Sequence, residues 1–265
     1  MAKLKYNHHI VKKKFGQNFL IDNDIINSIV YSINPKNTET MIEIGPGLGA
    51  LTKHMYKYLN KLFLVEYDID LVNRLLNYFS DVKNLKIFFK NALKFDFSHI
   101  DNKYYNSVRV FGNLPYNISV LLLLHLFKYK NIYDMHFMFQ KEVANRLLAF
   151  PNTKHYGRLS IISQYFCNIT HLFDVFPESF RPIPKVSSTF LRLSPYQKKK
   201  YYLKNLKSLI KVTSLAFGNR RKIIKNSLFE LFSENELINL QIDPTLRAEN
   251  ISIEQYCRLS NCISE

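Results

Sequence analysis

Five short apolar runs, at 41–44, 62–65, 85–89, 108–111 and 135–139, are mostly separated by segments of helical periodicity. No other feature constrains the fold as strongly. Short apolar strands that cross over through helices lie parallel, buried on both faces, in a doubly wound sheet. A helix is expected before the first strand, running from the N-cap candidate Asp22 to about residue 33. Two later runs, 169–175 and 187–193, follow a helical segment near 159–166 and are joined by FPESFRPIPK. They predict an antiparallel hairpin that finishes one edge of the sheet, making seven strands. The pattern changes at Gln197-Lys198-Lys199-Lys200, beyond which strand signals vanish and short helices are expected, with capping boxes at Ser233/Glu236 and Ser252/Gln255. The expected organisation is an α/β domain over 1–195 and a small all-helical domain over 196–265.

Charge narrows the partners. The chain carries 37 Lys and Arg against 21 Asp and Glu, a net charge of +16, which points to nucleic acid or another anionic surface. Enrichment in Lys, Asn, Ile, Tyr and Phe, with no Trp, fits an AT-rich coding sequence equally well, so charge alone does not decide the matter. Cys167, Cys257 and Cys262 form no CxxC pair, so neither a disulfide framework nor a metal site is expected. The start, MAKLKYNHHIVKKKFGQ, lacks the apolar core of a signal peptide, and the longest apolar stretch, 118–127, is too short for a bilayer. A cytoplasmic monomer, away from membranes, is the expectation.

The first strand runs into MIEIGPGLGALT. Glycines at 45, 47 and 49 let the backbone turn sharply and approach a ligand closely. Gly45, Gly47 and Ala50 also satisfy the dinucleotide pattern GxGxxG/A, and Glu66 at the end of the second strand suits the two hydroxyls of a ribose. Both NAD and S-adenosylmethionine fit these residues. Glu43, just before the turn, favours S-adenosylmethionine, because an acid there repels a pyrophosphate and attracts an ammonium or sulfonium.

The fourth strand ends in VFGNLPYNIS, 110–119. In an ordinary strand-to-helix turn Gly, Asn and Pro serve backbone geometry alone. With a methyl donor at the Gly-rich turn, the same residues acquire chemistry. An adenine amine is a poor nucleophile because its lone pair is delocalised into the ring. If the Asn113 side-chain oxygen and the Leu114 carbonyl each accept one N–H, that lone pair is freed; Pro115 fixes the turn without a competing N–H, and Tyr116 offers a stacking face. Phe180, between the prolines of the later loop, is expected either to wall the other side of a flipped base or to sit in the core.

Taken in order, KKKFGQNFL (12–20), EIGPGLGALT (43–52), VEYD (65–68), NLPYNIS (113–119), FQKEVANRL (139–147), YGRLS (156–160) and FRPIPKVSS (180–188) resemble the bacterial small-subunit ribosomal RNA adenine dimethyltransferases, the KsgA family. In the tail, AFGNRRKIIKNSL (216–228) and IDPTLRAENIS (242–252) extend the resemblance along nearly the whole chain. It implies a Rossmann-like, class I S-adenosylmethionine-dependent methyltransferase with a mostly parallel seven-stranded sheet. It also implies dimethylation of two adjacent adenosines in a hairpin loop near the 3′ end of the small-subunit RNA, late in assembly of the 30S subunit. Carried over by position, Asn18, Leu20, Gly45, Glu66, Asn91 and Asn113 contact the donor, with Gly47 and Glu43 in the same turn region. Leu114, Tyr116 and Phe180 surround the target base, and Gln17 and Phe19 belong to an arm that folds over the donor. One position departs from the pattern: the family usually has Asp where this chain has Asn91, which implies weaker donor binding. Arg220, Arg221, Lys222 and Lys225 are candidate phosphate contacts. A ribosome-assembly factor that keeps the fold without catalysis, and an NAD-dependent enzyme, remain the alternatives.

Overall fold

The computed structural model describes residues 5–100, 108–219 and 221–263. Seven strands form the main sheet: β1 (Thr40–Ile44), β2 (Lys61–Glu66), β3 (Leu85–Phe89), β4 (Val108–Asn113), β5 (Ile132–Gln140), β6 (Cys167–Val175) and β7 (Ser188–Pro195). Their order is β3-β2-β1-β4-β5-β7-β6. The pairs among β1 to β5 are parallel, and β7 runs antiparallel to β5. This is the Rossmann-like class I methyltransferase sheet that the strand pattern and motifs imply. β6 takes the outer edge beside β7.

The order in which successive strands are added to the sheet reverses between the parallel neighbours β1 and β4. Neighbouring strands on either side of that point are connected away from one another, which opens a crevice at their C-terminal ends, where open α/β sheets bind ligands. Every residue of β1, TMIEI, is buried, so Glu43 is an acid inside a central strand. Gly112 serves the same close approach. A Cβ there would lie 2.3 Å from the Ile44 carbonyl oxygen, so a side chain would push β4 away from the end of β1.

The helices α1 (Asn23–Ile33), α2 (Thr52–Met55), α3 (Ile69–Tyr78) and α4 (Ser119–Leu126) follow in chain order. Asp22 caps α1 as expected, accepting from the backbone N–H groups of Asp24 and Ile25 at 3.0 and 3.2 Å. Ile26, Ile29 and Ile33 give α1 one apolar face, and they join a core cluster with Met41, Leu62, Leu64 and Phe111. Short strands Phe19–Leu20 and Phe180–Arg181 pair antiparallel, with Leu20 opposite Phe180.

The remaining helices are α5 (Lys141–Leu148), α6 (Arg158–Phe166), α7 (Leu206–Ala216), α8 (Ile224–Ser227), α9 (Glu234–Asn239) and α10 (Ile253–Asn261). Both capping boxes form, Ser233 with Glu236 and Ser252 with Gln255. The single cut expected near residue 195 needs correction. One compact unit comprises 1–144 with 170–195, and the other comprises 145–169 with 196–265. The excursion belongs with the tail because its apolar residues do. Tyr156 and Ile161 are fully buried in one cluster with Leu209, Val212, Leu228 and Tyr256. The Tyr156 hydroxyl donates to the Ile251 carbonyl at 3.1 Å.

Candidate active site

A cavity of about 490 Å³ opens at the C-terminal ends of β1, β2 and β4. The Gly-rich turn forms its floor. Gly45, Gly47 and Gly49 have φ of +66°, +59° and +79°, so the loop needs residues without a Cβ to take this path. At Gly47 a Cβ would also meet the Phe19 ring at 3.1 Å.

Two acids face the cavity. Glu43 is 2% exposed and accepts a hydrogen bond from Thr52 Oγ1 at 2.6 Å. Burial pushes its carboxyl up to about 8; the Thr52 bond opposes this, and the nearby Glu66 charge adds to it. Glu66 accepts from the backbone N–H groups of Tyr67 (2.8 Å), Asp68 (2.9 Å) and Gly47 (3.2 Å). Its carboxyl is also raised by burial, with those three bonds working against the shift. Such a pair favours a cationic ligand and disfavours a pyrophosphate. Asn91 lines the cavity after β3, its side-chain oxygen accepting from the Leu93 N–H at 2.9 Å.

NLPY forms the wall at the end of β4, where Asn113, Leu114, Pro115 and Tyr116 all border the cavity. The Asn113 Nδ2 donates to the backbone carbonyl of Asn18 at 2.8 Å, which leaves the side-chain oxygen as the amide's acceptor. The Tyr116 hydroxyl shares a hydrogen bond with Ser188 Oγ at 2.6 Å.

The N-terminal arm closes another side. Asn18, Leu20 and Phe19 border the cavity, and Asn18 Nδ2 donates to the Gly16 carbonyl at 3.3 Å. What holds the arm is the last residue of VEYD, to which the sequence alone assigns no role. Asp68, its side chain fully buried, accepts from Lys12 Nζ at 2.5 Å and Gln17 Nε2 at 2.8 Å, and also caps α3 through the Asp70 N–H at 3.1 Å. Burial alone would raise its carboxyl, but these bonds outweigh that and hold it below the ordinary carboxylate range. Its sequence signal was an N-cap acid beside a strand end, in a chain with a basic arm.

Phe180 is not brought to the cavity. It is fully buried in the core cluster with Leu20, Ile26, Val175 and Phe190, so the expected role of a wall for the target base is corrected to core packing. Of the basic group in the tail, Arg221 and Lys222 are exposed, Lys225 pairs with Glu234 at 3.0 Å, and Arg220 lies outside the described residues. Among the described residues no cluster of potential ligands could hold a metal ion, and no helix is long and apolar enough to cross a membrane. Cys167 and Cys257 are buried thiols and Cys262 is an exposed one.

The family model described as "Ribosomal RNA adenine dimethylase" matches residues 8–265. The chain belongs to this family. A ribosomal RNA adenine dimethylase is a methyltransferase, so the Gly-rich turn belongs to a methyl-transfer enzyme and not to an NAD-dependent oxidoreductase. Among similar members, the "Ribosomal RNA small subunit methyltransferase A" of Buchnera aphidicola subsp. Baizongia pistaciae is 54% identical over 259 residues, covering 97% of this chain and 98% of that protein. The protein of the same name from Escherichia coli is 48% identical over 258 residues, covering 97% and 94%. Of solved structures, a dimethyladenosine transferase from Plasmodium falciparum superposes with a TM-score of 0.78 at 25% identity, covering 91% of this chain and 95% of that one. The 23S rRNA methyltransferase ErmE shares the fold, with a TM-score of 0.71 at 22% identity over 92% and 98% of the two chains.

Proposed function

We propose that this dimethylase transfers methyl groups from S-adenosylmethionine to the N6 amines of two adjacent adenosines, two methyls to each, in the 3′-terminal hairpin loop of small-subunit ribosomal RNA. It acts as a cytoplasmic monomer on the assembling 30S subunit. The names of its similar relatives support the substrate, and the cavity's donor set suits the cofactor. Glu43 and Glu66 supply negative charge where an ammonium, a sulfonium and a ribose need it, and Gly45 and Gly47 let backbone come close. When bound, the donor supplies an electrophilic methyl whose sulfur departs as a neutral thioether, so no acid is required to help it leave.

The chain's own part is to bind, orient and desolvate. Asn18, Leu20, Glu43, Gly45, Gly47, Glu66 and Asn91 hold the donor. The Asn113 oxygen and the Leu114 carbonyl accept the two N–H groups of the amine, freeing its lone pair toward the methyl. Pro115 brings no competing N–H, and Tyr116 stacks on the base, a contact worth roughly 1–3 kcal/mol. A base with an acceptor in place of the amine leaves both oxygens unpaired and is rejected. One observation carries this reading: the Asn113 amide nitrogen is already committed to the Asn18 carbonyl, which supports the oxygen as the group that accepts from the substrate.

The test is to incubate the protein with labelled S-adenosylmethionine and unmethylated small subunits, large subunits or naked RNA, and to map the products by mass spectrometry. Dimethyladenosine at two adjacent loop positions of small subunits, lost in Asn113→Ala, is the expected result. Tight subunit binding without transfer, identical in the wild-type protein and the variant, refutes the reading in favour of an assembly factor.

A further inference from the structure

Tyr116 stands on a turn, yet its tip is tied to the sheet. The turn itself is held locally, by Ile118 N–H to the Pro115 carbonyl at 3.1 Å and by Ser119 Oγ to the Tyr116 carbonyl at 3.1 Å. Neither bond fixes the ring, which retains rotation about its side-chain torsions. The ring is fixed by the 2.6 Å hydrogen bond between its hydroxyl and Ser188 Oγ, contributed from 72 positions further along the chain. Ser188 is fully buried at the start of β7, in register with Gln140 of β5. The Lys141 N–H donates to the carbonyl of Ser187 at 2.9 Å, pinning the backbone immediately before it. A strand held between β5 and β6 therefore supplies the buried anchor and a half-buried loop supplies the ring.

We infer that Ser188 is a positioning residue for methyl transfer: it holds the Tyr116 ring at the angle on which the target adenine stacks. The inference rests on the proposed reaction. Its weight falls on the second methyl. An unmodified adenine offers two N–H groups to the Asn113 oxygen and the Leu114 carbonyl, so two hydrogen bonds and the stack all orient it. After one transfer the amine has a single N–H left. One of the two oxygens then has no donor, and the stack on Tyr116 carries a larger share of the orientation. A loosened ring impairs the second transfer more than the first, and monomethylated product accumulates.

Ser188→Ala removes the anchor and Tyr116→Phe removes the same bond from the other end while keeping the stacking face. Both variants and the double variant are compared with the unsubstituted protein on unmethylated small subunits, reading kcat, the dissociation constant of S-adenosylmethionine and the ratio of monomethyl- to dimethyladenosine. Each single variant is expected to lose about five- to tenfold in kcat, the scale of one lost hydrogen bond. Each also raises the monomethyl fraction, with donor affinity unchanged. The double variant loses no more than either single one, because both remove one bond. Tyr116→Phe keeps the test available if Ser188→Ala folds poorly. Additive losses, or full activity with an unaltered product ratio in Ser188→Ala, overturn the role of Ser188 alone. No transfer by the unsubstituted protein overturns the proposed reaction, and this inference with it.

Discussion

Glu43→Gln should make the protein more stable at pH 8 and worse at holding its donor. Glu43 is buried in β1, and burial pushes its carboxyl up to about 8 from 4.5. Between those values the folded state keeps a proton that the unfolded chain releases, so stability falls as pH rises and levels off above about 8. At about 1.4 kcal/mol per unit, this group alone removes roughly 3 kcal/mol between pH 5 and pH 8. Gln does not titrate, and its side-chain oxygen can still accept the Thr52 bond that Glu43 accepts at 2.6 Å. Urea unfolding of both proteins at pH 5 and pH 8 should show the variant's profile flatter by about that amount. Glu66, also raised by burial, is present in both proteins, and because its charge is one of the causes that raise Glu43 the difference between the profiles reports the two acids together. The same proton links to the donor. A cationic ligand beside Glu43 favours the carboxylate, so binding at pH 7 expels more protons, by up to about one, from the wild-type site than from Glu43→Gln. Calorimetry in buffers of different ionisation enthalpy counts that proton. Parallel stability profiles together with equal proton counts would refute the reasoning, since they would mean that Glu43 is ionised in the folded protein before any ligand arrives.

Three further outcomes are expected. Asn91→Asp introduces a charge at the cavity wall and, since a charge-assisted hydrogen bond is about twice as strong as a neutral one, should tighten donor binding several-fold by calorimetry; unchanged affinity would place the donor away from residue 91. Lys12→Ala removes the cation from a fully buried Asp68 carboxylate, which should loosen the arm, raise its proteolytic cleavage at neutral pH and weaken donor binding. Because the Asp68 carboxyl is held below its ordinary range, the same arm in the unsubstituted protein stays docked above about pH 4 and is released as pH falls through that lowered value. Phe180→Ala should cost about 3–5 kcal/mol of stability as a core deletion, whereas Phe180→Leu keeps the transfer rate within a few-fold; a tenfold slower Phe180→Leu with unaltered stability would return Phe180 to the active site.

Where the sequence was legible, and where it was not, follows from what periodicity encodes. Apolar alternation reports which residues leave water, so all seven strands could be placed to within a few residues, and Asp22 could be named as the cap of α1 because a cap acts on N–H groups two and three positions away. The Gly-rich turn and NLPY are equally local, since each needs residues with particular backbone freedom in a row. Periodicity does not say which element covers an apolar residue. Tyr156 and Ile161 look the same whether they face the sheet or the tail, and only the assembled cluster assigns 145–169 to the second unit. Phe180 fails for the same reason. A Phe beside prolines has an identical signature on a cavity wall and in a core, and here the pairing of Phe180 with Leu20 turns it inward. The polar contacts that brace the site are still less visible. Gln17 meets Asp68 across 51 positions, Asn18 meets Asn113 across 95 and Tyr116 meets Ser188 across 72. In each case both partners lie in motifs, but nothing in either motif says which residue of the other it meets. Residues proposed to touch the ligand can thus be named from one sequence, while the contacts that hold them still become readable only once the sheet brings the two segments together.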